Sequence, residues 1–218
     1  MLNLSQQKHY FPRECIPPVT IIGAGAIGSN IAIMLARMGA EDITVYDADA
    51  LESHNIAPSA YGTGDFAMAK VEALHALIER DTEVSITPKR RMYAGEKLKG
   101  TVIVCVDSMS ARKLVWEKVK NNPLIDIVVD TRTAEKFWQV FAIEPCKPAD
   151  IAHYEHFLAY DDGDTARQTC GLHGIIFVSL AVAAEVGENL ANFWSCGRKN
   201  RHVDRLCGSE LVIHKEEN

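Results

Sequence analysis

Three glycines near the start of the chain could hold a phosphate group. Gly23, Gly25 and Gly28 follow a short apolar run with the spacing G-x-G-x-x-G, and a helical pattern comes directly after them. In such a turn the first glycine permits a tight bend, the second lets the backbone approach a phosphate, and the third lets helix and strand pack closely. Because the new helix directs free N–H groups at this glycine turn, the segment predicts a nucleotide-binding site. The alternative interpretation is a turn that binds no ligand.

Two acids follow at the distance where the ribose of a nucleotide would need them. Asp47 and Asp49 come after the next apolar run, Ile43–Tyr46. This is about 20 residues beyond the glycine turn, where a carboxylate can meet ribose hydroxyls. The combination suits a nicotinamide dehydrogenase and an ATP-using enzyme equally, so both remain open at this point.

Length and composition restrict the class of protein. The 218 residues suffice for one sizeable core, so residues 1–218 are expected to form a single domain with an N-terminal extension over residues 1–18. A net charge of −6 argues against a nucleic-acid partner. The first residues lack the apolar stretch of a signal peptide, and the longest apolar segment, 174–186, is too short to span a bilayer. We therefore expect no membrane partner and a cytoplasmic location.

The six cysteines and the paired histidines are weak candidates for metal or disulfide chemistry. No two cysteines have C-x-x-C spacing. A disulfide framework is not expected in a cytosolic chain of this size, and a structural zinc site would need four ligands from scattered positions. His153 and His156 could share one helix face in a metal site, but a solvated segment is the favoured interpretation.

Helical and strand patterns alternate along the chain. Strands are predicted at 20–22, 43–46, 84–87, 101–106, 125–129 and 138–143, the last as an added strand that could be antiparallel. Helices are predicted at 26–37, 66–78, 111–119 and 174–193. Residues 144–171 are polar and predict a long excursion or crossover loop, after which the last helix closes the fold. The alternation predicts an α/β fold that is Rossmann-like and doubly wound, with a mainly parallel sheet and helices on both faces.

Acids end three of the predicted strands. Asp47, Asp107 and Asp130 each follow an apolar run, and ligands of doubly wound folds bind outside the carboxyl ends of the strands. The sequence therefore predicts one crevice lined by acids. Each acid taken alone could also be an ordinary turn residue.

The segment that follows the second strand supplies a characteristic series of polar residues. The series runs Asp47, Asp49, Asn55, Lys70, Asp107 and Arg112. In order and spacing it resembles the ThiF/MoeB family, adenylyltransferases related to the ubiquitin-activating enzymes, and the resemblance extends over residues 15–195. Arg112 is expected to be structural rather than catalytic.

The resemblance implies an ATP-dependent adenylyltransferase that activates the C-terminal carboxylate of a small sulfur-carrier or ubiquitin-like protein. It implies that the glycine turn and Asn55 meet the phosphates, that Asp49 (or Asp47) holds the ribose, and that Asp107 holds Mg²⁺. Lys70 would stabilise the transition state. Simpler alternatives are a solvated Lys70, an Asp107 that only caps the following helix, and an Asn55 that only shapes its own turn.

The chain also departs from the family pattern. Pro58 and Ser59 stand where the family usually has Arg-Gln, so one cationic contact to the phosphates is missing. Arg13 could supply a second family arginine, which often acts across a dimer. Cys170 lies in the neighbourhood of the reactive cysteine of sulfur-transfer members, and a helix N-terminus would favour its thiolate. It could equally be a small buried residue.

Three functions remain open from the sequence. The first is the adenylyltransferase, acting with ATP and Mg²⁺ on a small carrier. The second is an NAD-dependent oxidoreductase, although no acid–base pair for hydride transfer is evident. The third is a non-catalytic, nucleotide-binding relative, which the missing arginine favours. A homodimer is expected, and the apolar segment 174–186 could serve as its interface.

Overall fold

A computed structural model describes residues 2–134, 137–159, 175–206 and 213–217. The strands within these ranges are β1 Val19–Ile22, β2 Ile43–Tyr46, β3 Thr87–Lys89, β4 Gly100–Val104, β5 Ile125–Ala134, β6 Phe137–Ile143, β7 Asn200–Leu206 and β8 Ile213–Glu217. The helices are α1 Ala26–Met38, α2 Ser53–Ile56, α3 Lys70–Thr82, α4 Met109–Val119, α5 Pro148–Leu158 and α6 Ile176–Cys196, with 3₁₀ turns at Arg13–Cys15 and Thr63–Asp65.

The strands form one mixed sheet in the order β3-β2-β1-β4-β5-β6-β7-β8. The first five strands in this order pair in parallel, and β6, β7 and β8 join antiparallel. Every residue of β1 and β4 is buried, as expected for central parallel strands that helices cover on both faces. The predicted Rossmann-like fold class is confirmed, including the antiparallel strand after β5.

Neighbouring residues of β1 show the two layers of the core. Ile21 packs on one side of the sheet with Leu35 of α1, in a cluster that α3 and α6 complete. Ile22 packs on the other side with Trp116 of α4 and Tyr154 of α5. Because side chains alternate across a strand, one apolar run serves both layers.

The helix that carries Lys70 begins at this residue and not at residue 66 as predicted. Residues 66–69 form a turn that pairs with the backbone near Leu51, with Ala67 N–H donating to the Leu51 carbonyl at 3.0 Å and Leu51 N–H donating to the Met68 carbonyl at 2.8 Å. Ala67 has a φ of 65°, a value that α-helices exclude. The apolar periodicity beyond residue 70 was correct, whereas this backbone pairing had no sequence signal.

The prediction of a polar excursion over 144–171 is wrong where the structure describes it. Residues 148–158 form α5, with Pro148 in its first turn, where a missing N–H costs nothing. Tyr154 and Leu158 are buried against α4 and β6. Their spacing of four residues is a helical signal that the surrounding polar residues obscured.

The helix α6 does not close the fold, because β7 and β8 follow it. α6 has 21 residues and, among the described residues, is the one helix long and apolar enough to cross a membrane by length and composition. The apolar segment 174–186, judged from the sequence to be too short to span a bilayer, therefore covers only the first part of this helix. Half of its apolar stretch is buried in the fold, and a Cβ at Gly187 would lie 2.8 Å from the Met34 sulfur of α1. Core helices commonly have this composition.

Residues of the N-terminal extension pack beside α1. Phe11 is buried, and the Gln7 side-chain amide donates to the Met38 carbonyl at 2.5 Å. Arg13 forms an ion pair with Glu41 beside the C-terminal end of α1. Within the chain, Arg13 therefore lies away from the carboxyl ends of the parallel strands.

Candidate nucleotide site

A cleft of about 480 Å³ lies at the carboxyl ends of β1, β2 and β4. Most of the residues predicted from the sequence line it: Gly23, Gly25, Asp47, Asp49, Asn55, Lys70 and Asp107. The missing-arginine position, Pro58, and the buried Arg112 also line it. Residues that are scattered over some 90 positions of sequence thus meet in one cavity at the predicted edge of the sheet.

The three glycines have the three separate roles that their spacing predicts. Gly23 has a φ of 101°, and a Cβ there would lie 2.5 Å from the Cys105 carbonyl oxygen. A Cβ at Gly28, which does not line the cleft, would overlap the Gly23 carbonyl oxygen. A Cβ at Gly25 would meet no atom within 4 Å. Gly25 therefore faces the space where a ligand can approach the backbone.

The N-terminus of α1 opens into the same space. Gly25 is its N-cap, no side chain caps it, and its first turn contains no acid. Ala26 and Ile27 line the cleft. Uncapped N–H groups at a helix N-terminus bind anions, so a phosphate fits this end of the cavity.

The two acids after β2 do different work. The Asp47 carboxylate accepts from Ala24 N–H at 2.7 Å and from Asp49 N–H at 2.8 Å, so both of its oxygens hold backbone. The Asp49 side chain is 67% exposed in the cleft. Asp49 is therefore the acid available to a ribose, and Asp47 positions the glycine turn.

Lys70 is held in the cleft by Asp49. Its ammonium donates to the Asp49 carboxylate at 2.8 Å, its backbone N–H donates to the Asp49 carbonyl at 3.0 Å, and its side chain is only 10% exposed. The alternative of a solvated helix lysine is thus wrong. A fixed cation stands opposite the glycine turn.

The simpler alternative from the sequence holds in part for Asn55 and fails for Asp107. The Asn55 side-chain oxygen accepts from Glu52 N–H at 3.0 Å and caps α2, so it does shape its own turn. Its amide nitrogen is the part left for a ligand. Asp107 is exposed in the cleft and does not cap α4, because the Ser108 hydroxyl accepts from Ala111 N–H instead.

Asp130 is not part of the cleft, which corrects the prediction of three strand-end acids in one crevice. β5 continues past Asp130 to residue 134, and the carboxylate is fully buried. It pairs with Arg112 at 2.9 Å and with Arg132 at 2.8 Å. Two buried guanidinium groups thus satisfy it, and the expectation of a structural Arg112 agrees with this geometry.

Two residues without a motif also shape the site. The buried Tyr61 hydroxyl donates to the Ala24 carbonyl at 2.7 Å and ties the loop before α3 to the glycine turn. Burial, with Asp47 and Asp65 nearby, raises the pKa of Tyr61 well above its usual value, so the phenol stays a donor. Burial likewise raises the pKa of Cys105 to about 12 and keeps this thiol at the cleft floor neutral.

Among the described residues, acids outnumber cations in the lining of the cleft. These acids are Asp47, Asp49, Glu52 and Asp107, and the lysine and arginine of the lining are Lys70 and Arg112, both of which form ion pairs with acids of the chain. Pro58 adds no charge, and its carbonyl accepts from the Asn30 side chain at 3.3 Å. A polyphosphate would therefore need added positive charge here.

The remaining candidates lie elsewhere. His153 packs in an aromatic cluster, 5.2 Å from the Phe157 ring and 5.5 Å from the His202 ring, so the interpretation of a solvated segment is wrong for it. His156 is exposed on the same helix. Within the described ranges no group of histidines, cysteines and acids could hold a metal. Cys170 lies outside the described residues.

A Rossmann-type sheet, a glycine turn beneath an uncapped helix and an exposed acid beside a buried lysine are features that nucleotide-binding proteins of the α/β class share. The model of the ThiF family matches residues 17–191. The chain belongs to the ThiF family.

Solved structures share this fold at low sequence identity. PaaA superposes with a TM-score of 0.74 at 16% identity over 95% of this chain and 66% of its own, and MccB of E. coli with ATP gives 0.70 at 15% identity over 94% and 65%. The uncharacterized protein y4oA of Sinorhizobium fredii (strain NBRC 101917 / NGR234) is 31% identical over 122 residues, which are 52% of this chain and 18% of y4oA. The chain thus spans about two thirds of the structural relatives.

Proposed function

We propose that the protein is an ATP-dependent adenylyltransferase that activates the C-terminal carboxylate of a small sulfur-carrier or ubiquitin-like protein. The observation that carries the proposal is the buried Lys70, held by Asp49 in the same cleft as the glycine turn and Asp107. Family membership supports the reaction class, and solved structures of MccB with ATP, with AMPCPP and with MccA support the kinds of ligand.

In the proposed complex, different residues of the cleft contact the phosphates and the ribose of ATP. The phosphates meet the N–H groups at the start of α1 and the open side of Gly25. The ribose lies against the exposed oxygen of Asp49. The amide nitrogen of Asn55 faces the phosphates from the side of α2.

The donor set also fits Mg²⁺, with Asp107 as the residue that would hold it. Mg²⁺ binds proteins through one or two carboxylates together with substrate phosphates, and Asp107 is an exposed carboxylate in a cleft with surplus negative charge. When bound, the ion offsets charge on the phosphates.

The chemistry is the transfer of AMP to a carboxylate. A carboxylate oxygen of the substrate forms a bond to the α-phosphorus, the bond from this phosphorus to the oxygen that bridges to the β-phosphate breaks, and pyrophosphate leaves. In this proposal the Lys70 ammonium stabilises the negative charge that develops on the phosphates, and such preorganised charge is the largest contribution to many catalysed transfers. No redox partner is required.

A non-catalytic nucleotide-binding protein is the second candidate. The uncharged Pro58 and the excess of acids in the cleft favour it, because fewer free cations are present to stabilise a transition state. Both functions are compatible with a homodimer and a cytoplasmic location, which we keep as proposals, together with a sulfur-transfer role for Cys170.

Pyrophosphate exchange separates the candidates. The protein is incubated with ATP, Mg²⁺, candidate carriers and labelled pyrophosphate, and carrier-dependent appearance of label in ATP is the expected result. Asp107→Ala should abolish the exchange while leaving the melting temperature unchanged. If no carrier supports exchange while ATP raises the melting temperature, the non-catalytic function holds. If NAD raises the melting temperature and ATP does not, the oxidoreductase hypothesis is supported instead.

A further inference from the structure

The turn that carries Asp107 is held from behind by one side chain. The turn joins β4 to α4, and its Ser108 carbonyl accepts from the Arg112 backbone N–H at 3.2 Å and from an Arg112 terminal nitrogen at 3.4 Å. The Asp107 carboxylate itself is exposed in the cleft. The position of the Asp107 carboxylate therefore depends on the backbone at Ser108, to which Arg112 donates hydrogen bonds.

The other end of the Arg112 side chain is anchored in β5. Its second terminal nitrogen donates to the Thr131 carbonyl at 2.7 Å, and its Nε donates to the buried Asp130 carboxylate at 2.9 Å. The guanidinium is 4% exposed. A planar fork with fixed donors can bridge three acceptors in this way, whereas a lysine ammonium on a flexible stem cannot.

Asp130 is in turn fixed by a second arginine. Arg132 donates from Nε to the other Asp130 oxygen at 2.8 Å and from a terminal nitrogen to the Phe157 carbonyl at 3.0 Å. Arg132 thus shares the acid with Arg112, but its bonds go to β5 and α5 and not to the turn of Asp107.

We propose that Arg112 is the positioning residue for Asp107, clamping the β4–α4 turn to β5 so that the carboxylate is presented to the divalent cation that accompanies the nucleotide. This inference rests on the proposed function. Residues that orient metal ligands from behind matter nearly as much as the ligands themselves.

The test compares two arginines that share one acid. Arg112→Gln and Arg132→Gln each leave Asp130 with one cation, so both should lower stability to urea to a similar extent. Arg112→Gln alone should weaken Mn²⁺ binding, measured by electron paramagnetic resonance at saturating ATP, by at least about tenfold. Arg112→Lys keeps the charge beside Asp130 and is the variant to use if Arg112→Gln does not fold; it should show the same loss.

The outcomes separate this inference from the proposed function. Mn²⁺ affinity that falls equally in the Arg112→Gln and Arg132→Gln variants, or in neither, overturns the clamp. An unchanged Mn²⁺ affinity with weaker binding of metal-free ATP also overturns it, because Arg112 would then contact phosphate directly. If Asp107→Ala retains full Mn²⁺ binding, the metal role within the proposed function fails instead.

Discussion

Two walls of the cleft are held by different interactions. The first wall is the glycine turn, residues 23–28, and the second wall is the turn between β4 and α4 that carries Asp107. The glycines of the first wall pack within one strand–turn–helix unit, since Gly28 lies on the Gly23 carbonyl, and Asp47 and Tyr61 add bonds to this turn from other segments. The turn of Asp107 is held across the sheet by Arg112 and Asp130. The first wall is therefore readable as a sequence motif, and the second exists only after β4 and β5 have paired.

The largest effect is expected at the acid behind the second wall. Asp130→Ala leaves Arg112 and Arg132 buried without their shared carboxylate, which costs roughly 3–5 kcal/mol of unfolding free energy. Urea denaturation measures it. Asp126→Ala, at an exposed position earlier in β5, is the control and should change little. A loss below about 1 kcal/mol would mean that the ion pairs do not hold this wall.

In the first wall, substitution of Gly28 should lower the stability of the fold, whereas substitution of Gly25 should mainly weaken ligand binding. Gly28→Ala forces a methyl group into the Gly23 carbonyl and should destabilise the fold by about 3 kcal/mol. Gly25→Ala has open space and should cost less than about 1 kcal/mol, while ATP binding weakens because the methyl group occupies the phosphate approach. Urea denaturation and calorimetric titration with ATP distinguish the two. Equal stability losses would contradict the separate roles.

Between the walls, Lys70 should matter for chemistry and little for folding. If the proposed function is correct, Lys70→Ala removes the cation that stabilises the transition state and should lower pyrophosphate exchange by roughly 100-fold. Stability should change by less than about 1 kcal/mol, because the partner carboxylate of Asp49 is mostly exposed. Lys99→Ala, on an exposed segment, is the matched control. Exchange that survives in Lys70→Ala would remove the lysine from the mechanism.

The smallest expected effect is a pH dependence of stability caused by Cys105, a residue of the second wall that contacts the first. The Cys105 carbonyl lies against Gly23, and the Cys105 sulfur accepts a hydrogen bond from the Thr131 hydroxyl at 3.5 Å. Burial raises the pKa of this thiol from 9.0 to about 12. Between these two pH values the thiol has lost its proton in the unfolded chain and kept it in the folded protein. Stability should therefore fall as the pH rises, by up to about 1.4 kcal/mol per pH unit.

Urea denaturation at pH 8 and pH 10 checks this pH dependence. Cys105→Ala should flatten the alkaline decline relative to the unmodified chain. Cys146→Ala, which changes an exposed cysteine, should leave the decline as it is. An identical decline in all three proteins would show that another group is responsible.

The sequence was most informative where neighbours in the chain are neighbours in space. The Gly23–Gly28 spacing, the acids after β2 and the alternation of strands and helices predicted the fold class and most of the cleft. The helix α5 was missed because polar residues surround its buried Tyr154 and Leu158. β7 was missed because its sequence, NRHVDRL, is mostly polar and lacks a run of apolar residues, although it pairs with β6 inside the sheet.

What the sequence by itself determined is the glycine turn, because Gly23 and Gly28 allow a positive φ and a close backbone approach that a residue with a Cβ could not adopt. The tertiary structure alone decided which acids face the ligand. Asp107 and Asp130 look alike in the sequence, each after an apolar run, yet one is exposed and the other lies between two guanidinium groups. Burial of a carboxylate requires cations that arrive from other elements, and this requirement is invisible until the strands pair.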